Sequence, residues 1–100
     1  MASGSIKKDY TLEGLGVLPN RTDFNDVMIG VWQLNTGFTY YNSPYTGGML
    51  EVFGGDTNFR MQRMNKSTGD VFAVRYKRSS GWSDWTEFSG TTVQPINTPS

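Results

Sequence analysis

The chain of 100 residues contains neither cysteine nor histidine. Without cysteine there is no disulfide, no thiolate zinc site and no thiol nucleophile. Without histidine the chain lacks the commonest metal ligand and the usual general base at neutral pH. The formal net charge is zero, whereas dedicated nucleic-acid binders carry a clear basic excess. We therefore expect no enzyme, no cofactor, no metal site and no nucleic-acid partner.

Long hydrophobic runs are also missing. The longest nearly apolar stretch, residues 27–34, is interrupted by Gly30 and Gln33 and is far shorter than the ~20 residues of a membrane span. The first residues are small and polar and are followed by two lysines, which is unlike the apolar region of a signal peptide. We expect no membrane insertion.

Aromatic residues and glycine are abundant instead. Aromatics make up 14% of the chain and glycine 12 residues, while charged residues are only 18%, below the roughly 25% of typical globular chains. Aromatics with short polar side chains are typical of recognition surfaces. They are equally typical of an ordinary small all-β domain, in which aromatics and threonines favour strands. Composition leaves both interpretations open.

The order of patterns along the chain predicts the fold. Thr22 or Asp23 is a candidate cap for a single helical turn. Strand-like runs separated by glycine-containing turns follow at residues 27–34, 49–53, 59–64, 71–78 and 82–88. Turns of three to six residues join antiparallel neighbours and are too short for parallel crossovers. The predicted class is all-β: a small antiparallel β-sandwich built as a meander, with a short irregular N-terminal lead-in.

Four regions are expected. Residues 1–5 are interpreted as a linker or a cloning remnant, and residues 6–21 as a lead-in whose aliphatic side chains need a partner surface. Residues 22–88 form the β domain, and residues 89–100 form a polar tail that contains proline.

The loop at residues 35–48 provides the best candidate ligand contacts. It interleaves turn residues with Tyr40, Tyr41 and Tyr45, and Asn42 lies directly beside these rings. Sugar C–H faces stack on aromatic rings while the hydroxyl groups need polar partners, so this composition suits carbohydrate. The alternative is that the tyrosines close the edge of the sandwich.

Charge is unevenly distributed. Residues 59–78 hold six basic residues against one acid, a local charge of about +5, and the rest of the chain carries about −5. Arg60 and Arg63 are the candidate cationic contacts for a phosphorylated or acidic polysaccharide. The alternative is a solvated outer face whose arginine stems cover apolar surface.

Three further patterns have a structural interpretation. Helix capping explains Asp23 and Asp26 better than a catalytic carboxylate pair does. A turn explains residues 54–58 better than a calcium site. Trp82 and Trp85 are three apart, so in a strand they point to opposite faces unless a bulge or turn intervenes. Such tryptophans are more typical of a core than of a ligand platform.

Taken in order, the motifs resemble the pyocin-knob type of domain of phage tail fibres and tailspikes. The residues that carry the resemblance are DFNDV at 23–27, GVW from Gly30, NSP at 42–44, GGMLEVF at 47–53, Gln62, VFAVR ending at Arg75, and GWSDW at 81–85. The resemblance covers about two-thirds of the chain.

The resemblance implies a homotrimeric module of a virion tail fibre or tailspike, downstream of a fibre shaft. It implies binding of a bacterial surface glycan, either lipopolysaccharide or capsule, and assigns a framework role to Trp32, Arg75, Trp82 and Trp85. A knob that trimerises or spaces the fibre without receptor contact is the alternative function. A glycan-degrading enzyme is a third, weaker one.

Overall fold

The computed structural model describes residues 16–96. A single turn of 3-10 helix, Phe24–Asp26, precedes six strands. The strands are β1 (Gly30–Leu34), β2 (Gly48–Asp56), β3 (Phe59–Lys66), β4 (Val71–Arg78), β5 (Gly81–Trp82) and β6 (Thr86–Ser89).

The six strands form one antiparallel sheet. Strands β1 to β4 pair in chain order, and β5 and β6 both pair with β4. The β5 strand lies against the end of β4 at Lys77 and Arg78, and β6 lies against its beginning at Val71–Val74. The predicted all-β, antiparallel meander is confirmed.

One side of the sheet, here the packed face, carries the core. Strand residues Leu34, Leu50, Val52, Met64 and Ala73 are buried there. The layer packed on them contains the buried side chains Leu18, Phe24 and Val27 together with half-buried aromatics. This layer consists of the lead-in, the 3-10 turn and the loop between β1 and β2, whereas all the strands lie in the sheet.

The other side of the sheet, here the open face, is exposed in the described part of the chain. Its large apolar side chains Met49, Phe53, Met61, Tyr76 and Phe88 are each between 38% and 48% exposed. The strand register places three of them side by side, since Phe53 pairs with Met61 and Met61 pairs with Tyr76. Met49 is opposite Asn65 and Phe88 is opposite Phe72, further along the strands. Phe72 and Phe88 stack at 5.2 Å between ring centroids.

The lead-in covers the sheet edge at β1. The backbone N–H of Leu18 donates to Gln33 and the N–H of Gln33 donates to Gly16, both at 2.9 Å. Leu18 is buried, so the expected packing of an aliphatic side chain of the lead-in on the domain is confirmed at this residue. The predicted linker at residues 1–5, residues 6–15 of the predicted lead-in and residues 97–100 of the tail lie outside the described residues.

Several strand boundaries differ from those predicted: β2 continues to Asp56 beyond residue 53, and β3 continues to Lys66 beyond residue 64. Strand β1 begins at Gly30 and not at residue 27, because Val27 is the C-cap of the 3-10 turn and its side chain is buried in the covering layer, the layer that packs on the sheet. The run at 82–88 forms two short strands separated by residues 83–85. Among the described residues, no helix has the length and apolar character needed to cross a bilayer.

Candidate functional site

The centre of the site is an arginine held between two indole rings. The Arg75 Cζ lies 4.1 Å from the centroid of Trp82 and 4.8 Å from that of Trp85. Arg75 points to the packed face from β4, and the break between β5 and β6 lets both tryptophans reach it. A guanidinium over an indole face gains electrostatic and stacking energy. This arrangement, the arginine stack, explains how residues 82 and 85 contact one side chain.

The Arg75 guanidinium is also fixed by hydrogen bonds. Its Nε donates to Oε1 of Gln62 at 2.8 Å, and its Nη2 donates to Oδ1 of Asn25 at 3.0 Å. The buried Gln62 in turn donates to the backbone carbonyl of Phe24 at 2.6 Å. Burial lowers the pKa of Arg75 to about 10, and the charge of Asp23 opposes that shift. Arg75 therefore remains charged at neutral pH while it connects the sheet to the 3-10 turn.

A second set of bonds connects the loop to the same place. Asn42 has a φ of 61°, a left-handed conformation that asparagine tolerates better than most residues. Its carbonyl accepts from the Trp85 indole N–H at 3.0 Å, and its amide donates to Asp23 at 2.8 Å. The hydrogen bond from the Asn42 amide and the one from the Asn25 N–H hold the pKa of Asp23 below its usual value. Asp23 also caps the 3-10 turn, as predicted.

An open cavity of about 350 Å³ lies beside the arginine stack. Its lining residues are polar or aromatic: Asn25, Asn42, Ser43, Arg75, Trp82, Ser83, Asp84 and Trp85. Amide, hydroxyl and carboxylate groups next to indole edges match the mixed polar and apolar surface of a saccharide. Sequence reasoning missed Asn25, Ser83 and Asp84, although all three belong to the DFNDV and GWSDW motifs.

The structure distributes the predicted loop residues differently. The Tyr40 hydroxyl donates to the Leu18 carbonyl at 2.7 Å, and its ring lies against Phe24. Tyr45 also packs on the core, and its hydroxyl donates to Glu87 at 2.6 Å. Tyr41 is 47% exposed. Of these four predicted loop residues, Asn42 lines the cavity, while Tyr40 and Tyr45 make the edge-closing contacts of the alternative interpretation.

The structure does not bring the two predicted arginines together. Arg60 lies on the packed-face side of β3, where its Nη1 donates to the Val27 carbonyl at 3.3 Å. Arg63 lies on the open face, 3.7 Å from Glu51 and with its Cζ 4.1 Å from the centroid of Phe72. Residues an odd number apart in a strand point to opposite faces, and this signal was present in the sequence.

The remaining candidates have local structural contacts. The Trp32 indole donates to the Met28 carbonyl at 3.1 Å and packs against the core. In residues 54–58, Asp56 accepts from the backbone N–H of Asn58 at 2.8 Å, which is an Asx turn. Within residues 16–96, no three acidic side chains cluster as metal ligands would.

Three solved structures share this fold. An N-truncated R2-type pyocin tail fibre matches with a TM-score of 0.71 and 27% identity over 79% of the chain. The chain has a tail-fibre fold. C-terminal fragments of the P. aeruginosa R2 and R1 pyocin fibres match with TM-scores of 0.72 and 0.73, at 22% identity over 100% and 17% over 95% of the chain. The expected resemblance to pyocin and phage tail-fibre domains is confirmed.

The chain spans 34%, 33% and 32% of the lengths of these three structures. No protein-family model and no curated protein matches the sequence.

Proposed function

We propose that the chain is a tail-fibre module that attaches a phage or phage-tail-like particle to a glycan of the bacterial surface. The likeness to the pyocin tail fibres supports the fibre context. The cavity beside the arginine stack carries the binding part of the proposal. The Arg75 and Asn42 hydrogen bonds hold the Asn25 amide and the Trp85 indole of its lining in place before any ligand arrives.

Preorganisation is what makes this cavity suitable for a sugar. A saccharide gains little from each hydrogen bond, because its hydroxyl groups are already solvated in water. A site whose side chains are already fixed loses less entropy when it binds. Asp84 is an exposed acceptor at the cavity, and Asn25 and Ser83 add an amide and a hydroxyl. We propose binding without turnover.

The test measures binding of the chain to host cells and to arrays of lipopolysaccharide and capsule fragments. We expect saturable binding that Asp84→Ala weakens at least fivefold, because the lost carboxylate accepts from sugar hydroxyl groups. The matched control is Asp70→Ala, which removes the same charge from an exposed turn that does not line this cavity. Binding that is absent, or that both variants weaken equally, would contradict the proposal.

We further propose that the module works as a homotrimer associating through the open face. The supporting observation is the row of half-exposed apolar side chains that Phe53, Met61 and Tyr76 form across β2, β3 and β4 on that face. Contiguous apolar surface of this kind usually marks an interface. Closed symmetric association of copies is also the usual form of protein oligomers.

Sedimentation velocity tests the association. We expect Phe53→Asp to shift the trimer to monomer, because a charge would be buried between copies. Val93→Asp is the control, since Val93 is 80% exposed in the segment after β6. A wild-type chain that remains monomeric with its shaft attached would overturn this proposal. A trimer without glycan affinity would instead support the spacer alternative.

A further inference from the structure

Two basic side chains face each other at one end of the packed face. Arg60 on β3 and Lys77 on β4 are directly opposite in the strand register. Like charges in directly opposed strand positions repel each other. Both side chains are half-buried, so solvent screens this repulsion less than it would on an open surface. The pair therefore disfavours the folded state unless an anion neutralises it.

Neither side chain has an anionic partner in the described part of the chain. The ion pair found within residues 16–96 joins Arg63 and Glu51, which lie on the open face. The Arg60 Nε is buried and has no hydrogen-bond partner among residues 16–96, although Nη1 reaches the Val27 carbonyl. Buried polar groups are nearly always satisfied, so an unpaired guanidinium donor points to a missing acceptor.

The two basic side chains line a second open cavity, of about 310 Å³. Asn25, Thr57 and Trp82 line it as well and can add an amide, a hydroxyl and an indole edge. Asp26 is the one acidic residue of the lining, so the lining carries a net charge of +1. Because Asn25 and Trp82 also line the cavity beside the arginine stack, the two cavities adjoin.

We propose that Arg60 and Lys77 form a subsite for the phosphate or carboxylate group of an acidic sugar. The inference rests on the proposed function, because the anion would belong to the same glycan as the sugar in the first cavity. Arginine binds such oxyanions through its planar fork of donors, and lysine adds a compact charge. A single anionic group matches the small positive charge of the lining.

The test titrates the chain with inorganic phosphate, glucose 6-phosphate, glucuronic acid and glucose, followed by amide and indole NMR shifts. We expect saturable shifts at Asn25, Thr57 and Trp82 with the anionic probes, and at least fivefold weaker binding of glucose. Lys77→Gln should weaken the anionic probes at least fivefold. Arg78→Gln is the matched control, because the next residue along β4 has the same charge but points to the open face.

Several outcomes would overturn the inference. Equal weakening by Lys77→Gln and Arg78→Gln would mean diffuse charge attraction and not a site. Equal affinity for glucose and glucose 6-phosphate would show that the anionic group does not contribute to binding. Tighter binding of a single-stranded oligonucleotide than of the phosphosugar would assign the charge to another ligand class.

The two proposals fail differently. Phosphate shifts that depend on Lys77, without binding to any surface glycan, would preserve the anion subsite and remove the proposed function. Glycan binding that Lys77→Gln leaves unchanged would preserve the proposed function and remove the anion subsite. A higher melting temperature of Lys77→Gln in phosphate-free buffer would independently support the repulsion between the two basic residues.

Discussion

The packed face and the open face are built from the same strands, and both carry large apolar side chains. On β2, Leu50 and Val52 are buried while their neighbours Met49 and Phe53 are more than 40% exposed. On β3, Met64 is buried and Met61 is 38% exposed. Hydrophobicity alone therefore does not distinguish the faces. The covering layer of Leu18, Phe24 and Val27 makes one of them the core.

Arginine side chains on the two faces also have different surroundings. On the packed face, Arg75 is stacked between indole rings and hydrogen-bonded to Gln62 and Asn25. On the open face, Arg63 lies in a solvated network with Glu51 and Asn65. Burial makes each contact of Arg75 matter more, because a lost partner leaves an unsatisfied group out of reach of water. The comparison predicts unequal costs for matched substitutions.

The largest effect is expected for apolar truncation in β2. Leu50→Ala should lower the free energy of unfolding by about 3 kcal/mol, because it leaves a cavity under the covering layer. Met49→Ala, one residue away on the open face, should change it by less than about 0.5 kcal/mol. Urea unfolding of dilute protein measures both. Similar losses would show that the open face is buried in the folded monomer.

A smaller effect is expected for the polar network. Gln62→Leu should cost about 2 kcal/mol, since it leaves the buried Arg75 Nε without a partner and removes one of the two hydrogen bonds that the Phe24 carbonyl accepts. Asn65→Leu on the open face should cost about 0.5 kcal/mol, because its partners can bind water. Urea unfolding measures both variants. A fully tolerated Gln62→Leu, with unchanged tryptophan fluorescence, would show that the arginine stack does not need this hydrogen bond.

The smallest effect on stability is expected for the charge of the Asp23 carboxylate, which is lost at acid pH. The folded-state pKa of Asp23 lies below the unfolded value, so its contribution to stability is present above pH 3.8 and is lost as the pH falls through the folded pKa. Asp23→Asn should therefore lower the urea midpoint slightly at pH 7, and this difference should shrink towards pH 3. A constant difference between the two proteins across that range would contradict the role given to the carboxylate charge.

Local sequence signals predicted most of the secondary structure. Alternation placed the meander strands at 59–64 and 71–78, close to the observed β3 and β4. Asp23 was a predicted cap because aspartate accepts from the N–H groups of a helix start. The spacing of Trp82 and Trp85 required a break before both could face inwards, and residues 83–85 provide it.

The candidate site was harder to predict, because its contacts join residues far apart in the chain. Asn25 meets Arg75 across 50 positions, and Asn42 meets Trp85 across 43. The loop tyrosines were predicted as ligand contacts from composition, but composition does not show that Tyr40 and Tyr45 bond to Leu18 and Glu87. That Tyr40, Tyr41 and Tyr45 contact sugar remains a prediction.

The sequence by itself determined an all-β antiparallel chain without cysteine or histidine, since alternation, turn residues and composition are local properties. Only the tertiary structure decided which face of the sheet is the core, since both faces alternate with apolar residues. It also decided where the basic residues lie: one in the arginine stack, two opposed at a cavity and one beside an acid. Strand register and the covering layer set these positions, and both depend on contacts between distant residues.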